Sequence, residues 1–150
     1  MSAAPPQGGR YAIVVGRFYE QLAERLVAGA RDAFARAGHT DLEIFDVPGA
    51  YELPLAASFQ ARSGRFSGIA CLGAVIRGET DHYEHVCSET ARGIMQVGLD
   101  NHLPCAFGVL TCQTMQQALE RSGGGKRDQG ANAAEAVLAM VRLQQSLQSG

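Results

Sequence analysis

The 150-residue sequence has no concentration of positive charge. Its 13 basic and 15 acidic side chains leave a net charge of -2, and no cluster of Lys or Arg forms a stripe that would neutralise a row of phosphates. Nucleic acid is therefore not an expected partner. Long apolar runs are missing too. The longest, Ile69 to Ile76, falls far below the ~18–20 residues needed to cross a bilayer, and the opening MSAAPPQGGR carries no apolar segment of the exporting kind. A cytoplasmic protein without membrane contact is expected. Charged residues are scarce, at 19%, for a chain that must cover its whole surface alone, which points toward contacts between subunits.

No CxxC pair and no metal-type spacing occurs among the four cysteines, Cys71, Cys87, Cys105 and Cys112. They sit mostly in apolar, strand-like runs, so buried free thiols are expected in place of a disulfide framework. No internal repeat is present. A chain of this length buries roughly 70% of the surface its unfolded form exposes, enough for one domain with a real core.

Residues 1–10 are Pro, Gly and small types that read as a flexible N-terminal tail, with a single domain over 11–150. YAIVVG (11–16) is a continuous apolar run rich in β-branched residues, the mark of a strand covered on both faces. Leu22, Leu26, Val27, Ala30, Ala33, Phe34 and Ala37 then recur at helical steps up to Gly38. The pattern repeats. LEIFDV (42–47) reads as a strand, Pro54 opens a helix that runs to about Ser63, and GIACLGAV (68–75) is a third strand. A long helix is expected from about Asp81 to Asn101, with Val86, Ile94, Val97 and Leu99 as its apolar residues. CAFGVLT (105–111) gives a fourth strand, followed by a short helix with Met115, Ala118 and Leu119, a loop at SGGGKRDQG (122–130), and a last helix over about 131–147. The apolar face of that helix is expected to hold Ala134, Val137, Leu138, Val141 and Leu147.

Four strands alternating with helices imply right-handed crossovers and an α/β fold: a three-layer α/β/α sandwich around a four-stranded parallel sheet, flavodoxin-like. Ligands of such folds settle at the carboxyl ends of the strands. The junctions to inspect are 16–19, 48–52, 76–82 and 111–114.

GAVIRGETDHYEHVC (73–87) is the most loaded of them. Gly78, Glu79 and Thr80 lie where a strand ends and a helix begins, so unpaired N–H groups and the positive end of the helix dipole suit a phosphate; Thr80 serves equally as a plain N-cap worth about 1 kcal/mol. His82, in the first turn, is the candidate general acid/base, because imidazole both takes and gives a proton near neutrality. His85 follows at i+3. A metal site would need further ligands, for which Glu89 and Cys87 have no recognised spacing. At the first junction, Phe18 and Tyr19 can stack on a flat heterocycle or simply pack under a loop. At the second, Gly49, Ala50, Tyr51 and Glu52 offer a close-approach glycine, backbone groups and a carboxylate that the helix dipole alone would favour. Arg121, before the glycine loop, suits a phosphate clamp or the last carbonyls of its own helix. Spacing and periodicity support an α/β domain with a small polar ligand, phosphorylated, at its strand ends.

Taken in order, VVGRF (14–18), VPGAYELP (47–54), LGAVIRGETDHYEHVC (72–87), FGVLT (107–111) and ALERSG (118–123) resemble the 6,7-dimethyl-8-ribityllumazine synthase family of riboflavin biosynthesis over nearly all of 11–145. The resemblance implies condensation of 5-amino-6-(D-ribitylamino)uracil with 3,4-dihydroxy-2-butanone 4-phosphate, without any cofactor or metal. By position it implies that Phe18 stacks on the pyrimidine and that Ala50, Tyr51 and Glu52 approach the ribityl chain. Val75 and Ile76 would line the heterocycle pocket, Glu79 and Thr80 would donate to the phosphate with Arg121 as its cation, and His82 would transfer protons. It further implies a homo-oligomer built on pentamers, with Phe107 reaching a neighbouring subunit's site.

Two departures stand out. Gln129 replaces a frequent Lys and Asn132 a frequent acidic residue, with Lys126 or Arg127 as substitute cations, and GGGKRDQG differs from the loop of members that form sixty-subunit shells. Three rival readings differ in class: a lumazine or flavin carrier that binds without turnover, an archaeal-type riboflavin synthase with no use for a phosphate clamp, and a metal hydrolase using His82 and His85.

Overall fold

The computed structural model describes residues 9–78, 82–123, 125 and 127–149. In chain order its elements are β1 (Tyr11–Gly16), α1 (Glu20–Arg36), β2 (Leu42–Val47), a 3₁₀ turn (Ala50–Glu52), α2 (Leu53–Arg62), β3 (Gly68–Ile76), α3 (Tyr83–Asn101), β4 (Cys105–Cys112), α4 (Met115–Glu120) and α5 (Gln129–Ser149). All strand pairs are parallel, in the order β2-β1-β3-β4, so the chain reverses its direction of travel across the sheet between β1 and β3. That reversal opens a crevice at the carboxyl ends of the strands.

Strand alternation divides the core in two. Tyr11, Ile13, Val15, Ala70 and Leu72 face one way and pack with Leu22, Leu26, Ala30 and Phe34 of α1 and with Ala134, Val137 and Val141 of α5. Ala12, Val14, Ile69 and Cys71 face the other way, against Leu53 and Ala57 of α2 and Ile94 and Val97 of α3. The result is the three-layer α/β/α sandwich. β1 is buried at all six positions, as its unbroken apolar run requires, whereas the edge strand β2 is half-exposed. Each Leu or Ile moved from water into these layers stabilises the fold by about 1.5–3 kcal/mol.

Local signals stop the helices. After α1, Gly38 takes φ +89° and the His39 N–H returns to the Phe34 carbonyl at 2.9 Å, a closure that glycine permits without steric cost. α3 ends in the same way, with Leu103 N–H on Gly98 O at 3.2 Å, but there the left-handed residue is His102, at φ 49°. Pro54 sits in the first turn of α2, where its missing N–H costs no helical bond.

Three expectations are corrected. α3 begins at Tyr83 with His82 as its cap, so His82 precedes the first turn. Leu147, at 75% exposed, belongs to no core face; with Leu99, at 61%, it lines an open groove over Phe107 of β4. Of the four free cysteines, Cys71 and Cys112 are buried, while Cys87 and Cys105 are half-buried. Of the expected tail, residues 1–8 lie outside the described residues. Arg10 is already held, its carbonyl accepting the Ser67 N–H at 2.8 Å. Among the described residues no helix is long and apolar enough to cross a membrane.

Candidate active site

The four strand ends are drawn together by backbone contacts. Arg17 N–H donates to Val47 O at 2.9 Å, joining the first junction to the second, and Arg77 N–H donates to Cys112 O at 2.8 Å, joining the third to the fourth. A Cβ built on Gly16 would stand 2.8 Å from the Gly49 carbonyl carbon, and one on Gly73 would stand 3.9 Å from both Ala50 Cβ and the Gly16 nitrogen. At position 16 only glycine lets the main chains lie so close, whereas a methyl at position 73 would make ordinary contact.

On this rim Phe18 projects with 70% of its surface exposed, its Cβ near Gly49 and its ring edge-on to Tyr19 at 4.9 Å. Beside it Tyr51 is 61% exposed and Ala50 is buried at 7%. Glu52 Oε1 accepts the Gly49 N–H at 3.0 Å, closing the 3₁₀ turn. This is an open, preformed aromatic and polar ledge of the kind small ligands use.

Val75 and Ile76 end β3 pointing to opposite layers, at 5% and 1% exposure. The Ile76 side chain lies in the core beneath α1 and α5, so at the rim it presents its backbone. His82 follows as the exposed cap of α3, and its carbonyl accepts the Val86 N–H at 2.9 Å. Glu79 and Thr80, the expected phosphate donors, lie outside the described residues.

Charge at the rim is partitioned unevenly. Arg17 bonds Asp46 at 2.8 Å, Glu20 at 3.1 Å, and Glu24, and these partners, Asp46 foremost, raise its pKa. Arg77 pairs with Glu84 at 3.2 Å and lies over the Tyr83 ring at 5.4 Å. Arg121 has no carboxylate partner among the described residues; its Nη1 rests 3.6 Å from Cys112 Sγ at the end of β4. It is half-buried, and its backbone caps α4.

Sequence reasoning missed the contacts of the first turn of α3. Tyr83 reaches Thr111 and Cys87, and burial raises the pKa of Tyr83 and Cys87 alike, so both groups are neutral around pH 7 and neither is a ready nucleophile. Tyr83 next to His82 in the quoted stretch was the available signal. Phe107 stands apart. It lies in the middle of β4, opposite Cys71 of β3, and faces a groove of about 710 Å³ lined by Met95, Leu99, Met140, Leu143 and Leu147 on α3 and α5.

A model of the family described as 6,7-dimethyl-8-ribityllumazine synthase matches residues 8–145. A curated protein from Desulfatibacillum aliphaticivorans, named 6,7-dimethyl-8-ribityllumazine synthase, is 43% identical over 139 residues, covering 91% of this chain and 90% of that protein. With the parallel sheet and its converging strand ends already in place, these two matches show that the chain belongs to the 6,7-dimethyl-8-ribityllumazine synthase family.

Proposed function

We propose that the chain condenses 5-amino-6-(D-ribitylamino)uracil with 3,4-dihydroxy-2-butanone 4-phosphate, yielding 6,7-dimethyl-8-ribityllumazine, phosphate and water in the penultimate step of riboflavin biosynthesis. The observation that carries the reading is the guanidinium of Arg121, which has no carboxylate partner among the described residues, at the strand ends that also carry the Phe18 and Tyr51 ledge and His82. A phosphorylated four-carbon ketone and a flat pyrimidine need these features side by side.

In this reading Phe18 stacks on the pyrimidine, while Ala50, Tyr51 and Glu52 approach the ribityl chain with backbone and carboxylate groups. Val75 and the Ile76 backbone border the ring. Arg121 and the 79–80 amides hold the phosphate. A ring amine attacks the ketone and loses water to form an imine; elimination expels phosphate, and the ribityl-bearing nitrogen closes the second ring on the exposed carbonyl. His82 moves the protons. Holding both substrates together supplies effective molarity, and donors on the departing phosphate stabilise its growing charge, so neither metal nor cofactor enters the scheme.

We further read the working form as a homo-oligomer built on pentamers. Phe107 faces away from its own strand ends, within an apolar groove too large to leave in water, and this supports its serving a neighbour's site. Four free thiols suit the reducing cytoplasm. The test is to mix purified protein with both substrates: fluorescent lumazine should appear with one equivalent of phosphate. Binding of either substrate without phosphate release would leave a carrier and overturn the reaction.

A further inference from the structure

Arg121 is only as useful as the backbone that carries it, and that backbone ends a helix of six residues followed by a glycine-rich loop. Such a segment does not hold a guanidinium still by itself. It is braced from α1. Arg25 donates through Nη2 to the Leu119 carbonyl at 2.9 Å and through Nε to Ser122 Oγ at 2.9 Å, one contact on each side of Arg121. Ser122 is 2% exposed, and its hydroxyl in turn donates to Leu119 O at 3.2 Å.

The same face of α1 docks the rest of the connection. A Cβ on Gly29 would collide with the Asp128 carboxylate, and one on Gly130 with the Leu26 carbonyl, so the two glycines let the Asp128 side chain and the start of α5 lie directly against α1. Ser122 and Asp128 bridge the neck of the loop, and Gln129 N–H donates to the Arg121 carbonyl at 2.9 Å. Arg25 thus meets the negative end of α4 with a planar fork, a geometry that an ammonium does not reproduce.

Resting on the reading of Arg121 as the phosphate cation, we infer that Arg25 is the positioning residue of that site: it touches no substrate, and it fixes the Arg121 backbone so that the guanidinium meets the phosphate of the butanone substrate. A slack brace therefore weakens one substrate selectively. Arg25→Met should raise KM for the phosphorylated ketone roughly ten-fold, with KM for the ribitylaminouracil and kcat within about two-fold of wild type. In an Arg121→Ala background the same substitution should add less than about two-fold, because the group it positions is gone.

Amide hydrogen exchange over 119–123 should quicken in Arg25→Met, whatever Arg121 does for the substrate. Should Arg25→Met fold poorly, Ser122→Ala removes the Nε acceptor together with the hydroxyl's own bond to Leu119 O, leaves the Nη2 contact, and should shift the same KM in the same direction by less. Equal losses for both substrates, full additivity with Arg121→Ala, or unchanged exchange at 119–123 would each overturn the inference. If exchange quickens but Arg121→Ala itself leaves the ketone KM unchanged, the phosphate-cation reading is what falls.

Discussion

Gly16→Ala tests the rim geometry with one methyl group. Gly16 needs no left-handed backbone, so alanine brings no torsional strain there; what it brings is a Cβ 2.8 Å from the Gly49 carbonyl carbon and 3.1 Å from the Ala50 nitrogen. Both neighbours are backbone and cannot swing aside. To reach the 3.4 Å of ordinary contact the first and second junctions must part by roughly 0.6 Å, carrying Phe18 away from Ala50 and Glu52. Overpacking of this sort costs about 1–3 kcal/mol, which lowers Tm by roughly 3–10 °C in a chain of this size. The same displacement of the stacking ring against the ribityl contacts should lower kcat/KM by about 10- to 100-fold. The control is Gly38→Ala. There φ is +89° with nothing within 4 Å, so alanine costs about 1 kcal/mol of backbone strain far from the rim and should leave kcat/KM unchanged. Steady-state lumazine fluorescence and calorimetry on both variants give the answer. A Gly16→Ala protein destabilised as expected but fully active would refute the claim that the two junctions act as one surface.

Other perturbations reach other parts of the molecule. His82→Ala should cut turnover by at most about 10²–10⁴-fold and leave a measurable residual rate, since approximation of the substrates survives; complete loss with normal substrate binding would count against that division. Leu143→Glu, in the groove beside Phe107, should dissociate the assembly in sedimentation while circular dichroism shows an intact fold, and activity should fall with it; an unchanged particle size would sink the shared-site reading. Stability should be flat near neutrality and decline as pH climbs above about 9. The Cys71 thiol is held well above its ordinary pKa by its contact with Cys105 and by burial, and burial raises Tyr11. The native state thus keeps protons that the unfolded chain gives up, and this stabilisation disappears as pH rises. Urea midpoints at pH 7.5 and 10 check this, and Cys71→Ala should flatten the difference.

The fold was legible where burial is simple. β1 and β3 are covered on both faces and therefore apolar throughout, so their limits could be read to within a residue, and Gly38 announced the end of α1 by a conformation that few other residues accept. Leu147 was misassigned because a helical stripe tells which residues share a face but not whether another element covers it, and Leu147 lines an open groove. The start of α3 was placed early because helical periodicity does not see a cap. Among the candidate site residues, Phe18, Glu52 and His82 were singled out for their place at strand ends, and the structure puts all three there. Arg25 could not: its partners lie 94 and 97 positions away, and no local pattern links a surface-type arginine on one helix to the end of another.

The arginines of the rim carry the remaining step. Arg17, Arg77 and Arg121 all stand close to strand ends, and the sequence offers no means of ranking them as anion receptors. Their neighbours do. Arg17 faces three carboxylates and fastens α1 to the end of β2, so an arriving phosphate would have to displace one of them and meet the negative charge of the rest. Among the described residues Arg77 pairs with Glu84, and it is spread over an aromatic ring. Arg121 faces no carboxylate among the described residues, only the Cys112 sulfur, and its exposure is restricted enough that water screens it less than a surface pair. Phosphate affinity should therefore collapse on replacing Arg121 alone, whereas Arg17→Met should lower stability before it lowers affinity. Isothermal titration with inorganic phosphate on both variants separates the two roles, and equal loss of binding in each would mean that the rim acts through its summed charge instead of through one placed cation.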